Sequence, residues 1–206
     1  MKSYYSLIVV VVLFISGCIV KEAIPMKYYT LKIGKMPIIH NSPFRDKVLK
    51  VSYPKTLTGK LTNKIAFSYS SSDRGVYQNS RWSNTLEKLI EGNIIATLHQ
   101  IKIFKAVLAY NSTATADLRL ESVVYDFSHH VRKDASYAII SMGFILIDVE
   151  TGKLIKTKYF SYREDTETTD AKGYAKAVNI AMTRLIKDLI KWIKSEEGID
   201  IKSIPL

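Results

Sequence analysis

Apolar and polar residues alternate in several short segments of the chain, and this alternation predicts β-strands. Leu118, Leu120 and Val124 fall on one face of such a segment. Arg119 and Glu121, between them, fall on the other face. A period of two residues is typical of a strand with one buried face. The pattern predicts strands at residues 28–33, 47–52, 64–69, 102–110, 117–127 and 154–162.

Two longer segments follow a three- and four-residue period, and each predicts a helix. The first covers residues 81–99, with Ser80 as its N-cap. The second covers residues 170–194, with Asp170 at its start and Lys194 near its end, as the helix dipole favours. The inward positions are Trp82, Leu86, Leu89, Ile90, Ile94 and Leu98 in the first helix, and Ala175, Val178, Met182, Leu185, Leu189 and Trp192 or Ile193 in the second.

The segment 136–149 is apolar at both odd and even positions. This pattern predicts either a central strand covered on both sides or a strand at an interface. Residues 150–153 then predict a turn, in which Gly152 takes a positive φ, before the strand at 154–162. The order strands, helix, strands, helix predicts an α+β fold, a mostly antiparallel sheet with two long helices packed on one face.

The N-terminus has the layout of a secretory signal. Lys2 precedes an apolar run at residues 7–15, followed by Ser16, Gly17 and Cys18. The run is less than half of the roughly 20 residues that a membrane-spanning helix needs, so we expect it to be cleaved. Residues 15–18 resemble a bacterial lipobox, which implies cleavage between Gly17 and Cys18 and fatty acylation of the Cys18 sulfur. Cys18 is the only cysteine, so an intramolecular disulfide is excluded.

The acylated cysteine determines the predicted domain organisation and location. Residues 1–17 are the signal, 18–27 the acylated cysteine with its tether, 28–195 one α+β domain, and 196–206 a C-terminal tail without an assigned role. Each buried CH₂ contributes about 0.8 kcal/mol, so several chains such as palmitate hold a protein on a membrane. Because Ile19 rather than an aspartate follows Cys18, the sequence favours the periplasmic leaflet of the outer membrane over the inner membrane.

The chain is basic, with a net charge of +11 that becomes +10 when the signal with its Lys2 is removed. An exported protein does not meet nucleic acid, so anionic lipid headgroups or an acidic partner are the expected counterparts. The alternative is a solvated surface whose lysines reflect composition, because no dense block of Lys and Arg is present.

Several motifs occur in the order typical of one family. They are Tyr28-Tyr29-Thr30-Leu31, the segment 48–51 with Pro54 and Leu57, the pair Arg81-Trp82 before the long helix, the strand 117–127 and the hairpin at 150–153. Over nearly the whole mature chain, the sequence resembles the ABC-type transport auxiliary lipoproteins, which accompany mammalian-cell-entry (MCE) lipid transport systems. Departures are Ser68 and Tyr69, where the family tends to have an arginine, and a long segment at 33–46.

This resemblance implies a non-enzymatic subunit that docks an MCE-domain protein, with a permease and an ATPase as further components. Aromatic and arginine side chains are the usual anchors of such contacts, so the candidates are Tyr28, Tyr29, Arg81 and Trp82. Trp82 also suits the core, because it lies on an apolar stripe. The apolar segment 137–149 would suit a homo-oligomer interface or a doubly covered strand.

The sequence predicts no catalytic or metal centre and no cofactor besides the covalent lipid on Cys18. His129 and His130 would point to opposite faces of a strand, and residues 164–167 lack the spacing of a calcium loop. No Gly-x-Ser-x-Gly elbow or phosphate loop is present. Two alternatives remain: a lipid carrier with an apolar cavity of several hundred Å³, on the order of known ligand pockets, and an envelope hydrolase.

Overall fold

A computed structural model describes residues 24–57 and 61–195 of the chain. The predicted signal at 1–17, the acylation site Cys18 and the tail at 196–206 lie outside the described residues. In the described ranges, neither helix combines the length and apolar character that a membrane crossing requires.

The described residues form one mixed sheet with helices against it. Both predicted helices are present, and the strands are mostly shorter or longer than the pattern indicated. In chain order the elements are β1 (Lys27–Tyr29), β2 (Val48–Val51), β3 (Lys55–Thr56), β4 (Lys64–Ser68), β5 (Gly75–Trp82), α1 (Leu86–Ile101), β6 (Ala106–Leu108), β7 (Leu118–Val131), β8 (Ser136–Asp148), β9 (Leu154–Asp165) and α2 (Ala171–Lys194).

Long antiparallel ladders form one side of the sheet and short parallel ladders the other. Strand β8 pairs antiparallel with β7 and with β9. The other edge of β7 pairs in turn with β2, β3 and β4, all parallel to it. Strand β6 lies parallel to β2, β5 lies antiparallel to β4, and β1 lies parallel to β5. The predicted α+β fold with a mostly antiparallel sheet is therefore confirmed.

The helices cover one face of the sheet, where the main core lies. The predicted inward residues Leu118, Leu120 and Val124 are buried there, and so are the inward residues of both helices except Leu89, which is partly buried. On β8 the residues of this face are Ala138, Ile140, Met142, Phe144 and Leu146. The segment 136–149 is therefore covered on one face by the helices, and its other face is not covered by any described element.

A β-bulge at Tyr125 reverses the alternation of β7. Val124 lies opposite Met142 and Asp126 lies opposite Ser141, so Tyr125 has no partner on β8. Before the bulge, even-numbered residues face the helices, and after it odd-numbered residues do, including the buried His129. Bulges re-aim side chains and increase the local twist of a strand. This bulge determines which of two adjacent histidines enters the core.

The predicted start of the first helix is wrong. Arg81 and Trp82 end strand β5, and α1 begins at Leu86 with Thr85 rather than Ser80 as its N-cap. The backbone N–H of Trp82 donates to the carbonyl of Asn63, which fixes an extended conformation at this point. The prediction failed because Trp82 is buried and lies four residues before Leu86. This spacing made a strand residue look like part of the apolar stripe of the helix.

The predicted strand at 28–33 ends early because the helices take over its hydrogen bonds. The Leu31 carbonyl accepts from Asn93 of α1, and the Lys32 N–H donates to Asn179 of α2 at 3.0 Å. Further along, the Ile39 N–H donates to the carbonyl of Ile101 at 2.9 Å. The chain from residue 31 to residue 39 therefore crosses both helices instead of extending the sheet.

Helix α2 has the termini that its sequence predicts. The Asp170 side chain accepts from the Gly173 N–H at 2.8 Å, which satisfies a free donor of the first turn. At the other end, the buried Lys156 of β9 donates to the carbonyls of Ile193 and Ser195 at 3.0 and 2.7 Å. The negative end of the helix dipole stabilises this buried ammonium group. The predicted positive φ of Gly152 is also confirmed, at 66°.

Candidate docking surface

The four residues that the sequence predicted for partner binding have different surroundings. Tyr28 is 66% exposed and lies opposite Arg81 on the neighbouring strand, whereas Tyr29 is partly buried against the core. The Arg81 guanidinium donates to the carbonyls of Tyr77 and Ser80. Trp82 is 1% exposed, so a partner cannot reach its side chain without unfolding. Tyr28 is therefore the exposed candidate, Tyr29 and Arg81 are partly buried, and Trp82 serves the core.

A second candidate surface lies on the face of β7, β8 and β9 that the helices leave uncovered, here called the open face. On a strand with a wet face, polar residues normally alternate with apolar ones. The central residues of β8 and β9 on this face carry no charge at all, although charged residues make up 24% of the chain. These residues are Ile139, Ser141, Gly143, Ile145 and Ile147 of β8, and Ile155, Thr157, Tyr159 and Ser161 of β9.

Tyr125 is the most prominent side chain of the open face. The β-bulge leaves it without a cross-strand partner, and it is 48% exposed. Its ring lies over Gly143, where an added Cβ would be 3.1 Å from the ring, and its centroid is 5.6 Å from that of Tyr159. Tyrosines are common anchors of protein interfaces because they combine a large apolar ring with a hydroxyl.

One end of the open face carries a stack of aromatic and cationic groups. The rings of His130 and Tyr137 are parallel within 10°, with centroids 5.4 Å apart. The Arg163 guanidinium lies 3.8 Å from the centroid of Tyr137, a cation–π contact. Arg163 also pairs with Asp165 at 3.1 Å. The stack therefore joins side chains from β7, β8 and β9 and forms a polar rim beside the uncharged centre of the open face.

Ser128, His130 and Asp126 come together beside this stack, but not in the order of a catalytic triad. A guanidinium can only donate, so Arg132 Nη2, at 3.0 Å, makes His130 Nδ1 an acceptor and leaves the ring proton on Nε2. That proton points to Asp126 Oδ2 at 2.9 Å. Ser128 donates to the same carboxylate at 2.5 Å. A triad histidine instead accepts from the serine and donates to the carboxylate through its other nitrogen.

His129 points to the opposite face, as predicted, and lies between the sheet and α2. Its Nδ1 is 2.7 Å from the Tyr77 hydroxyl, its Nε2 is 2.8 Å from the Ser136 hydroxyl, and its ring stacks on Tyr174. Burial lowers the pKa of His129 to about 4, and burial raises the pKa of Tyr77 to about 12. Both groups are therefore neutral at pH 7. In the described part of the chain, no three potential ligands cluster for a metal ion.

A cleft of about 620 Å³ lies at the N-terminal end of β7. Its lining includes three cations, Lys47, Lys50 and Arg119, and three acids, Asp117, Asp148 and Glu150. Such a lining suits water and ions rather than acyl chains. This cleft therefore lacks the apolar wall that the lipid-carrier hypothesis requires.

Comparison with protein families gives one match. The model of the family described as ABC-type transport auxiliary lipoprotein component matches residues 34–189. The match includes both helices up to residue 189 and all strands except β1. No protein with curated annotation matches the sequence.

Of the following solved structures, the first two share the fold at low sequence identity, and the third is less similar. A crystal structure of a Xanthomonas campestris protein has a TM-score of 0.71 at 16% identity, over 82% of this chain and 94% of that chain. A crystal structure of an uncharacterized protein has a TM-score of 0.63 at 16% identity, over 82% and 99% of the two chains. A lipoprotein from Neisseria meningitidis has a TM-score of 0.40 at 12% identity, over 71% and 97%.

Proposed function

Because the chain belongs to the ABC-type transport auxiliary lipoprotein family, we propose that it is a non-enzymatic subunit of an envelope lipid transport system and docks that system's MCE-domain protein. The permease and the ATPase would be separate proteins. The uncharged centre of the open face on β8 and β9, with Tyr125 beside it, is the observation that supports docking, and Tyr28 and Arg81 are candidates for a second contact.

The composition at the centre of the open face is typical of a protein–protein interface. Association is driven by apolar area removed from water, and the centres of interfaces are depleted of charge and enriched in aromatic residues. Tyr125 and Tyr159 supply aromatic anchors, and Ile145 and Ile147 supply aliphatic area between the strands. The stack of His130, Tyr137 and Arg163 would form part of the polar rim.

The anchor would restrict where this docking takes place. We expect cleavage after Gly17 and acylation of Cys18, followed by a tether to residue 27. The family supports an envelope lipoprotein, and the residue after Cys18 favours the periplasmic face of the outer membrane. Mass spectrometry of the mature protein tests the anchor, since an unmodified Cys18 thiol would contradict it.

A non-enzymatic role agrees with the hydrogen bonds beside the open face. The His130 proton points to Asp126, so His130 cannot accept the Ser128 proton in this arrangement. His129 is engaged by Tyr77 and Ser136 inside the core. Neither histidine is placed to act as a general base on a substrate.

Photo-crosslinking in the native envelope tests the docking surface. A photoreactive phenylalanine analogue replaces Tyr125 in the full-length lipoprotein, with the same replacement at Tyr110 as a matched control. Tyr110 is 57% exposed and lies away from the open face, with its N–H on Glu91 of α1. We expect a crosslinked adduct containing an MCE-domain protein from position 125 and not from position 110.

Two results would contradict the proposal. One is equal crosslinking of the MCE-domain protein from both positions. The other is stoichiometric phospholipid in the purified lipoprotein, which would favour a carrier over a docking subunit. Neither result depends on knowing which lipid is transported.

A further inference from the structure

A second cleft, of about 310 Å³, lies at the C-terminal end of α1. Its lining includes three cations, Arg45, Lys102 and Lys105, together with His99, and no acidic residue contributes to it. The larger cleft described above has three cations and three acids. The smaller cleft therefore concentrates positive charge that the structure does not neutralise locally.

Lys102 has a left-handed backbone conformation, which is normally adopted by glycine or asparagine. Its φ is 60°, and in the described ranges no other residue except glycine has a positive φ. The C-terminus of a helix commonly uses the left-handed region, but glycine or asparagine is normally found there because a larger side chain is strained. A lysine kept in this conformation is an outlier that points to a use for its side chain.

The helix dipole explains only part of this cluster. Cations near the C-terminus of a helix are stabilised by its partial negative charge, which accounts for Lys102 at the C-cap. Arg45 comes from another segment, and Lys105 follows Lys102 by three residues. Arg45 precedes β2 and donates through Nη1 to the His40 carbonyl, and the Lys105 N–H donates to the Lys47 carbonyl at 2.9 Å. Two segments of the chain, at residue 45 and at residues 99–107, therefore meet at the cleft.

The chemistry of the lining suits a phosphate group. An arginine presents several donors in a planar fork that matches phosphate oxygens, and lysines add point charges. Phe104 and Val107 provide an apolar wall beside the cations, 6% and 9% exposed. A phosphate that carries a glycerol or another organic group would contact both kinds of surface.

We propose that this cleft binds a phosphate group, supplied either by a phospholipid headgroup or by free phosphate. The arginine and the two lysines hold the phosphate oxygens, and the apolar wall contacts the organic substituent when one is present. This site is separate from the docking surface around Tyr125, so either assignment can fail without the other.

Phosphorus-31 NMR on the mature acylated lipoprotein in a non-ionic, phosphorus-free detergent tests the site. Two probes are titrated separately, inorganic phosphate and glycerophosphoglycerol, which is phosphatidylglycerol without its acyl chains. We expect both resonances to broaden at low salt and to sharpen as added salt screens the charges. Tighter binding of glycerophosphoglycerol would identify a lipid headgroup as the source, and tighter binding of inorganic phosphate would identify free phosphate.

Matched variants locate the binding. The double substitution K102Q/K105Q should weaken binding by about tenfold or more, because it removes two charge-assisted contacts. The control K47Q/K50Q removes the same charge from the balanced cleft and should change binding by less than about twofold, as screened exposed charges do. Absence of broadening in the unmodified protein, or equal weakening by both variants, would overturn the proposal.

A glycine at position 102 separates binding from folding. Lys102→Gly relieves the left-handed strain, so we expect a higher melting temperature together with weaker phosphate binding. A variant that is more stable and binds phosphate as well as the unmodified protein would show that Lys102 has no part in the site.

Discussion

Apolar residues lie on both faces of strands β7 to β9, but only one of these faces is covered. On the covered face, Leu120 and Phe144 are each 1% exposed beneath the helices. On the open face, Tyr125 and Ile155 are 48% and 37% exposed. The same backbone carries both sets, so the difference comes from what packs against each face. An apolar pattern indicates that a surface will be buried, and it does not indicate whether the cover comes from the same chain.

The largest expected difference between the faces is in the cost of truncating adjacent residues of β8. Phe144→Ala removes a ring that packs against Phe160 at 5.9 Å, and we expect a loss of about 3–5 kcal/mol in the free energy of unfolding. Ile145→Ala, on the open face, should cost about 1 kcal/mol, because a partly buried side chain loses less burial than a fully buried one. Urea-induced unfolding of both variants measures the two values.

Equal losses in the two variants would contradict this difference between the faces. A large loss for Ile145→Ala that depended on protein concentration would instead show that a second copy covers the open face.

The next largest expected difference between the faces is in how the adjacent histidines of β7 affect the pH dependence of stability. Burial lowers the pKa of His129 from 6.5 to about 4 on the covered face. The unfolded chain therefore binds a proton below pH 6.5 that the folded protein does not, and the free energy of unfolding falls as the pH drops towards 4. The full loss is up to about 3 kcal/mol. Unfolding curves from pH 7 to pH 4 measure this slope.

The variant His129→Gln removes the imidazole but keeps a donor and an acceptor for Tyr77 and Ser136. It should therefore flatten the dependence of the free energy of unfolding on pH between pH 6.5 and pH 4. His130→Gln, on the open face, is the matched control and should retain it. If the control variant flattened the slope instead, the assignment of His129 as the buried neutral histidine would be wrong. Asp170 and Asp188 have lowered pKa values and contribute their losses at still lower pH.

The sequence predicted those elements whose local pattern and tertiary surroundings agree. Helix α2 has a strong apolar stripe and an aspartate N-cap, and the Gly152 turn has the residue that its φ requires. The covered face of β7 followed from the alternation of Leu118 to Val124. In these elements the local preference and the final packing favour the same conformation.

The remaining features depend on contacts between distant residues. Trp82 lies on a strand because Tyr29 and Lys64 belong to the strands on either side, and no local pattern distinguishes it from a helix residue. The bulge at Tyr125 depends on the register between β7 and β8 and reverses the faces of all later β7 residues. The cation cluster at Lys102 combines Arg45 with residues 99–107, a distant segment of the chain. The sequence therefore predicted Tyr28, Tyr29, Arg81 and Trp82 as contact candidates and left open an interface at 137–149, but it did not predict the position of Tyr125 or the cleft.

The smallest expected effect on stability concerns the contact between Tyr125 and Gly143. A Cβ at position 143 would be 3.1 Å from the Tyr125 ring and 3.3 Å from its hydroxyl, so Gly143→Ala should turn the half-exposed ring outward. Because an alanine also recovers the conformational cost of a glycine in a strand, we expect stability to change by less than about 0.5 kcal/mol. Fluorine NMR of 3-fluorotyrosine at position 125 should report the new ring environment. A destabilisation above about 2 kcal/mol would mean that the ring cannot turn, and that the open face is as tightly packed around Tyr125 as the covered face is beneath the helices.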